Sequence, residues 1–466
     1  MAAAASASVP ARAAGARPPG PRGLPLLGAL PEYASDPLQM MLRVARDYGD
    51  VAYMRLFVFD VYQVNRPDLA EEVLRGHAGD VMKDFFTRAL KPIAGEGLLT
   101  SDGAHWRRQR RLAQPAFHKD RIEGYAKIMV DESRRLAAGW RDGDARDLHK
   151  DLSRLTLEIV TRALFGGDAG ADADVVGSAL DVVMDHFSRT YAFVPGVSAL
   201  LFWQQLRVRR AVRRIDEVVG RLVETRRASG RDTGDLLSML LAARDEDGRP
   251  MDDRQLRDEA VTILLAGHET TALALTWTFW LLSRHPEAEA RVHAEVDALL
   301  GGRDATAGDL RRLQYCDAVV REAMRLYPPA WAIGREPKTP IVLDGWTIPA
   351  GAQVTIAPWV LHRDARWFES PEAFRPERWL DGLADRLPRF AYMPFGGGPR
   401  VCIGQGFAQL EAVLVLATLA QSWRAATAPG HAGATLPSVT LRMKGGLPVR
   451  LSRRAPAPAP AAAAQS

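Results

Sequence analysis

The 466-residue sequence predicts a mainly α protein, a large helical domain with a smaller β-rich part. Three observations predict it. From Asp68 onward most of the chain sets apolar residues at helical spacing beneath Arg- and Glu-rich outer faces. Residues 51–65 gather β-branched and aromatic side chains (Val51, Tyr53, Val58, Val61, Tyr62, Val64) and predict a hairpin. Residues 341–356 form a second β-rich patch, punctuated by Gly345 and by Pro349-Ala350-Gly351.

The elements follow in order. Residues 1–17 are an Ala-rich, acid-poor leader without a long apolar core, expected to be disordered and neither a secretory signal nor an anchor. The run Pro18-Pro19-Gly20-Pro21-Arg22-Gly23-Leu24-Pro25 excludes helix and central strand, so it is a stiff lead-in to the folded body. No central linker or fixed-period repeat interrupts the chain, which predicts one domain over residues 18–454. The Ala/Pro tail at 455–466 is low in complexity and expected to be disordered.

Charge and cysteine usage narrow the function classes. Lys+Arg (61) exceeds Asp+Glu (56) by only five, which is no nucleic-acid signature. The two cysteines, Cys316 and Cys402, exclude a disulfide framework and predict a reducing, cytoplasmic setting. Residues 260–282 are nearly all apolar and long enough to span a bilayer. Their centre, however, holds Gly267, His268, Glu269, Thr270 and Thr271, and a mid-helix Glu beside a His is costly in lipid. A helix buried in a protein core, with a polar centre available for chemistry, fits better. No transmembrane anchor is expected.

The sharpest constellation is Phe395-Gly396-Gly397-Gly398-Pro399-Arg400-Val401-Cys402-Ile403-Gly404, followed by a helix-like run from Phe407 to Ala420. Glycines allow positive φ and close approach of the backbone to a flat ligand. Peptide N–H groups and a helix N-terminus stabilise a thiolate. Arg400 is placed to meet a carboxylate. Upstream, Glu322 and Arg325 lie three apart on one helix face. Trp106 and Arg110, in His105-Trp106-Arg107-Arg108-Gln109-Arg110-Arg111, share a face at i, i+4, while Arg107, Arg108 and Arg111 read as a solvated basic surface. Cys316 has no ligand-spaced companion and reads as a core residue.

Together these motifs resemble the cytochrome P-450 family, the thiolate-ligated haem monooxygenases, over nearly the whole chain from Pro18 to Ser452. F-x-x-G-x-R-x-C-x-G at 395–404 matches the family's ligand loop, so the resemblance implies haem b with Cys402 as axial ligand and Phe395 and Gly404 beside the cofactor. Ala266-Gly267-His268-Glu269-Thr270 is similar to the family's A-G-x-E/D-T. That implies Thr270 as the hydroxyl organising dioxygen and water, Glu269 as a proton feeder, Thr271 as structural and His268 as facing away from the iron. E-x-x-R at 322–325 with Pro376-Glu377-Arg378-Trp379 implies a structural Glu322–Arg325–Arg378 network. Family positions further imply haem-propionate contacts from Trp106, Arg110, Arg335 and Arg400, and a structural His362. Pocket walls are expected from Phe85, Phe86, Leu90 and Ile93, and from Phe187, Tyr191, Phe193, Val194, Leu201 and Phe202.

The implied reaction is insertion of oxygen from dioxygen into an apolar small molecule: fatty acyl, terpenoid, steroid or aromatic. Electrons are expected from a separate ferredoxin or flavodoxin with its reductase, since no flavin, nicotinamide or iron–sulfur motif is visible. Three alternatives stay open: a peroxide-using peroxygenase of the same fold, a non-catalytic haem sensor or electron carrier, and a helical scaffold without haem.

Overall fold

Val51–Leu56 pairs antiparallel with Phe59–Val64, Val51 facing Val64, which is the hairpin expected from the β-branched and aromatic residues of 51–65. Its two faces go to different cores. Ala52, Met54, Leu56 and Val61 pack with Met40 and Val44 of the helix Pro37–Tyr48. Val51, Tyr62 and Val64 join Leu343, Ile348, Val354 and Ile356. Burial on both faces explains why the strand residues are apolar almost without interruption.

The computed structural model describes residues 16–166, 170–187, 202–230 and 233–454. The 1–17 leader (all but its last two residues) and the 455–466 tail therefore lie outside the described residues. Chain contacts sort into two compact units, each built from separated stretches: one extends to Ala89 and adds Trp331–Pro371 and Leu387–Cys402, and the other takes Leu90–Ala330, Glu372–Arg386 and the chain from Ile403.

In the first unit a five-stranded sheet runs in the order Val51–Leu56, Phe59–Val64, Gln353–Ile356, Ile333–Pro337, Val81–Lys83. Phe59–Val64 and Gln353–Ile356 pair in parallel and the other neighbours antiparallel. The second β-rich patch supplies Gln353–Ile356 and a separate ribbon, Ile341–Leu343 with Trp346–Ile348. Asp344 (φ 49°) and Gly345 (φ 78°) close that ribbon, the Asp-Gly pair being suited to a two-residue turn with both φ positive.

The second unit is helical around one long element, Asp253–Arg284. Asp252 caps it by accepting the Gln255 N–H at 2.8 Å. It packs on the helix Leu148–Phe165, and Gly267 permits the approach: a Cβ there would stand 3.0 Å from Val160 Cγ2. The helix Gln405–Ala420 is buried nearly all round from Leu410 onward, as a helix apolar on every face must be. A sheet of Ala145–Asp147, Pro448–Arg453 and Trp423–Thr427, plus a ribbon of Thr435–Pro437 with Leu441–Met443, completes this unit. Among the described residues no helix is long and apolar enough to cross a membrane.

Candidate active site

The glycine loop in the first unit folds back on itself to present Cys402. The Cys402 N–H donates to Phe395 O at 3.0 Å and the Gly396 N–H to Met393 O at 3.0 Å. Gly396 and Gly398 adopt φ of 71° and 68°. A Cβ at Gly398 would lie 2.1 Å from Leu74 O, and one at Gly397 would strike the Phe390 ring. The loop is anchored from below by buried His362, whose Nε2 accepts the Met393 N–H at 2.9 Å, so its role is structural as expected. Gly396 lies against Ile333. Ile333 and Arg335, two apart on one strand, share a face, so the strand bearing Arg335 runs beside the loop. Phe395, Arg400 and Arg335 thus gather in the unit that carries Cys402.

Of the two cysteines, only Cys402 is exposed. Cys316 is fully buried, and burial pushes its thiol well above the ordinary range. It is a core residue, as its lack of companions predicts.

In the second unit the long helix is buried along most of its length, yet Ile263, Ala266, Gly267 and Thr270 remain open as one stripe. Their spacing keeps them on a single face. Thr270 Oγ1 donates to Ala266 O at 2.7 Å, leaving its lone pairs toward that stripe as acceptors. Thr271 and His268 are buried on one side of it, and the His268 carbonyl accepts Thr156 Oγ1 at 2.8 Å. Glu269 is also buried and is held by Arg442, whose Nε donates to Glu269 Oε1 at 2.6 Å. Arg442, from a strand 173 residues downstream, carries no motif by which the sequence could have revealed it.

The helix Gly103–Ala113 places Trp106 and Arg110, both half-buried, four residues apart. The reading of Arg108 as a solvated cation needs correcting. Its guanidinium donates to Asp245 at 2.6 Å, Gln255 at 2.9 Å and the Pro250 carbonyl at 3.1 Å, tying this helix to the start of the long one. Arg107 and Arg111 are both exposed, as read, Arg111 beside an exposed Glu246. Leu90 and Ile93 belong to the core. Phe85 and Phe86 cluster with Phe59. Phe187 ends one helix and Phe202 opens another, while Tyr191, Phe193, Val194 and Leu201 lie outside the described residues.

Two acids strap the loop before that basic helix to the long helix. Asp258 accepts the Glu96 N–H at 2.8 Å and Glu259 the Leu98 N–H at 3.1 Å. Gly97 has no room for a Cβ, which would fall 2.2 Å from Thr262 Oγ1. Burial pushes the fully enclosed Glu259 carboxyl up to about 8, so it is mostly neutral near pH 7. Because the folded value exceeds the unfolded one, its stabilisation is complete below about pH 4.5 and is lost as pH rises through about 8. Glu259→Gln, which keeps an acceptor for Leu98, is expected to remove this loss. Relative to the parent it should gain on the order of 2–4 kcal/mol between about pH 5 and about pH 9. Urea midpoints of both proteins at the two pH values check it, and parallel pH profiles would count against the assignment.

Glu322, Arg325 and Arg378 meet as a buried cluster. Arg325 donates to both Glu322 oxygens at 2.9 Å and Arg378 Nε to Oε1 at 3.0 Å. Two further donors complete the carboxylate: Trp379 Nε1 at 2.9 Å and the Arg375 N–H at 3.0 Å. Trp379 stands beside Arg378 in the sequence, but only the short helix Glu377–Leu380 reveals that both side chains reach one acid.

These residues fit a haem. A thiol at the end of a self-bonded loop is accessible, glycines stand where the protein leaves no space for side chains, and a hydroxyl lies on an open apolar stripe. The comparisons agree. The chain matches the family model described as Cytochrome P-450 over residues 18–442. It is 40% identical over 418 residues to a cyclooctatin synthase of Streptomyces melanosporofaciens, covering 88% of this chain and 90% of that one. It is 34% identical over 438 residues to a pentalenene oxygenase of Streptomyces avermitilis, covering 94% and 97%. Among solved structures, a retinoic-acid-bound cyanobacterial member superposes with a TM-score of 0.82 at 26% identity, covering 94% and 99%. The chain therefore belongs to the cytochrome P-450 family, with its fold, its haem carrying an axial cysteine thiolate, and its monooxygenase activity.

Proposed function

We propose that this monooxygenase hydroxylates a cyclic terpenoid, with Cys402 as the thiolate ligand. The observation that carries the reading is the stripe Ile263–Ala266–Gly267–Thr270, an apolar opening with one hydroxyl in an otherwise buried helix. Relatives named for cyclooctatin and pentalenene support the substrate class. Haem, when bound, supplies oxygen activation, which a thiolate favours by pushing electron density toward O–O cleavage.

The chain's own residues supply the rest. Ile263 and Ala266 exclude water from the approach of an apolar substrate. Thr270 Oγ1, its proton held by Ala266 O, accepts a hydrogen bond from water and so fixes the end of a water chain. The Arg442 guanidinium engages the Glu269 carboxylate, so Glu269 passes a proton only when that pair opens. Trp106, Arg110, Arg335 and Arg400 bring donors suited to propionates. Glu322, Arg325 and Arg378 hold the surrounding fold.

Electrons arrive from a separate ferredoxin or flavodoxin with its reductase, in the cytoplasm. A surface hollow of about 540 Å³ lined by Arg111, Gln114, Pro115, His118, Asp120 and Arg121 supports this, the exposed Arg121 guanidinium being placed to meet an acidic carrier.

The test is a substrate-difference spectrum against cyclic terpenes, fatty acids, steroids and aromatics, followed by turnover with reduced carrier. Spectral shifts confined to terpenes and oxygen-dependent product are expected. Turnover with peroxide alone would favour a peroxygenase, and binding without any product a sensor. In the same assay Thr270→Ala should keep its haem while product per electron falls at least about tenfold, the remainder appearing as peroxide. Unchanged coupling would remove Thr270 from this role.

A further inference from the structure

We propose that the N-terminal half of the helix Phe202–Ser229 docks the protein on the surface of an anionic lipid bilayer. One face of this helix is ordinary core: Ala211, Ile215, Val218, Val219 and Val223 are buried. A second face, about 110° round the helix at 100° per residue, begins with Trp203, 77% exposed, and continues with exposed Arg207, Arg210 and Arg214 at steps of four, three and four. Exposed Arg209 and Arg213 lie to one side of that row, away from the core.

None of these five arginines meets a carboxylate among the described residues. The contrast lies within the same helix, where Arg226 is bound by Asp235 and Arg227 by Asp253. Nor does the neighbouring sequence offer neutralisation, for no Asp or Glu occurs between Asp185 and Asp216. Arg209–Arg213 and Arg210–Arg214 are like charges at i, i+4, which weakens a helix. Glutamine at these positions would serve folding better, so the charge answers to something outside the chain.

The geometry points to a membrane rather than an acidic protein. From Trp203 to Arg214 the row spans about 16 Å along a straight axis, matching a plane of phosphates that guanidinium groups bind as hydrogen-bonded pairs. An exposed indole at its end is the side chain that prefers the boundary between headgroups and acyl chains. The attachment is peripheral, by charge and one aromatic anchor.

The haem-loaded, full-length protein should co-sediment with vesicles of equal parts phosphatidylglycerol and phosphatidylcholine at low salt. It should leave them at high salt and ignore pure phosphatidylcholine. With roughly fivefold per cation near an anionic surface, R207Q/R210Q/R214Q should bind on the order of a hundredfold more weakly. An unchanged carbon-monoxide spectrum would show that it is folded. Brominated acyl chains should quench tryptophan emission of the parent, and W203F should lose most of that quenching. Absence of vesicle binding, full binding by the triple variant, or unaltered quenching in W203F overturns the proposal. So does a triple variant impaired only toward an acidic electron carrier. The outcome is independent of the substrate class proposed above.

Discussion

Cys402→Ser is expected to yield a folded protein that lacks the red-shifted Soret band of the reduced carbon-monoxide complex and has no monooxygenase activity. The loop should survive, because its closure depends on the backbone bond from the Cys402 N–H to Phe395 O and on the His362–Met393 anchor, which a serine leaves intact. The sulfur alone is removed, and with it the electron push that only a thiolate gives. Cys316→Ala is the control. It deletes a buried thiol kept protonated by its surroundings, so the band should persist with a modest loss of stability. A retained band in Cys402→Ser, or a lost one in Cys316→Ala, would reassign the ligand.

Glu322→Ala should be the most damaging substitution away from the cysteine. Five N–H donors from four residues converge on that carboxylate: two from Arg325 and one from Arg378, whose guanidinium groups are almost completely buried, with Trp379 Nε1 and the Arg375 backbone. Removing the acid strands two cations in a dry interior, a loss of about 3–5 kcal/mol. That is much of the stability of a typical domain, so soluble yield and haem content should collapse together. Glu322→Gln should rescue little, since its amide brings donors to a place already crowded with donors. Expression yield, the haem-to-protein absorbance ratio and the urea midpoint decide it. A variant with full haem content and an unshifted midpoint would show the cluster to be dispensable. The exposed Arg46–Asp47 pair is the comparison, where substitution should leave the urea midpoint and haem content unshifted.

Much of this architecture could be read from the chain, and the reasons differ by element. The long helix is visible over 260–282 from its apolar run, yet it extends over Asp253–Arg284, because its first two turns are polar and are held by a loop and a helix distant in sequence. The hairpin at 51–64 was legible because its pairing is local. The C-terminal strands between Trp423 and Arg453 carry no local signal, being short, and Pro448–Arg453 also pairs with Ala145–Asp147, some 300 residues earlier. The site shows the same division. Cys402, Thr270 and Glu322 stand in local motifs. Arg108 looked solvated because spacing within one helix says nothing of Asp245, 137 residues on. Glu269 suggested a free proton donor because nothing near it in sequence announces Arg442.

The parallel pairing of Phe59–Val64 with Gln353–Ile356 has a consequence for synthesis. The first strand leaves the ribosome about 290 residues before its partner, a delay of roughly 15–60 s at about 5–20 residues per second. Throughout that interval Val61, Tyr62 and Val64 carry an open edge with apolar side chains, the kind of template on which nascent chains aggregate. Overproduction in a foreign host should therefore fail first by inclusion-body formation. Added chaperone, or fewer nascent chains at any one time, should improve recovery more than any substitution in the mature protein.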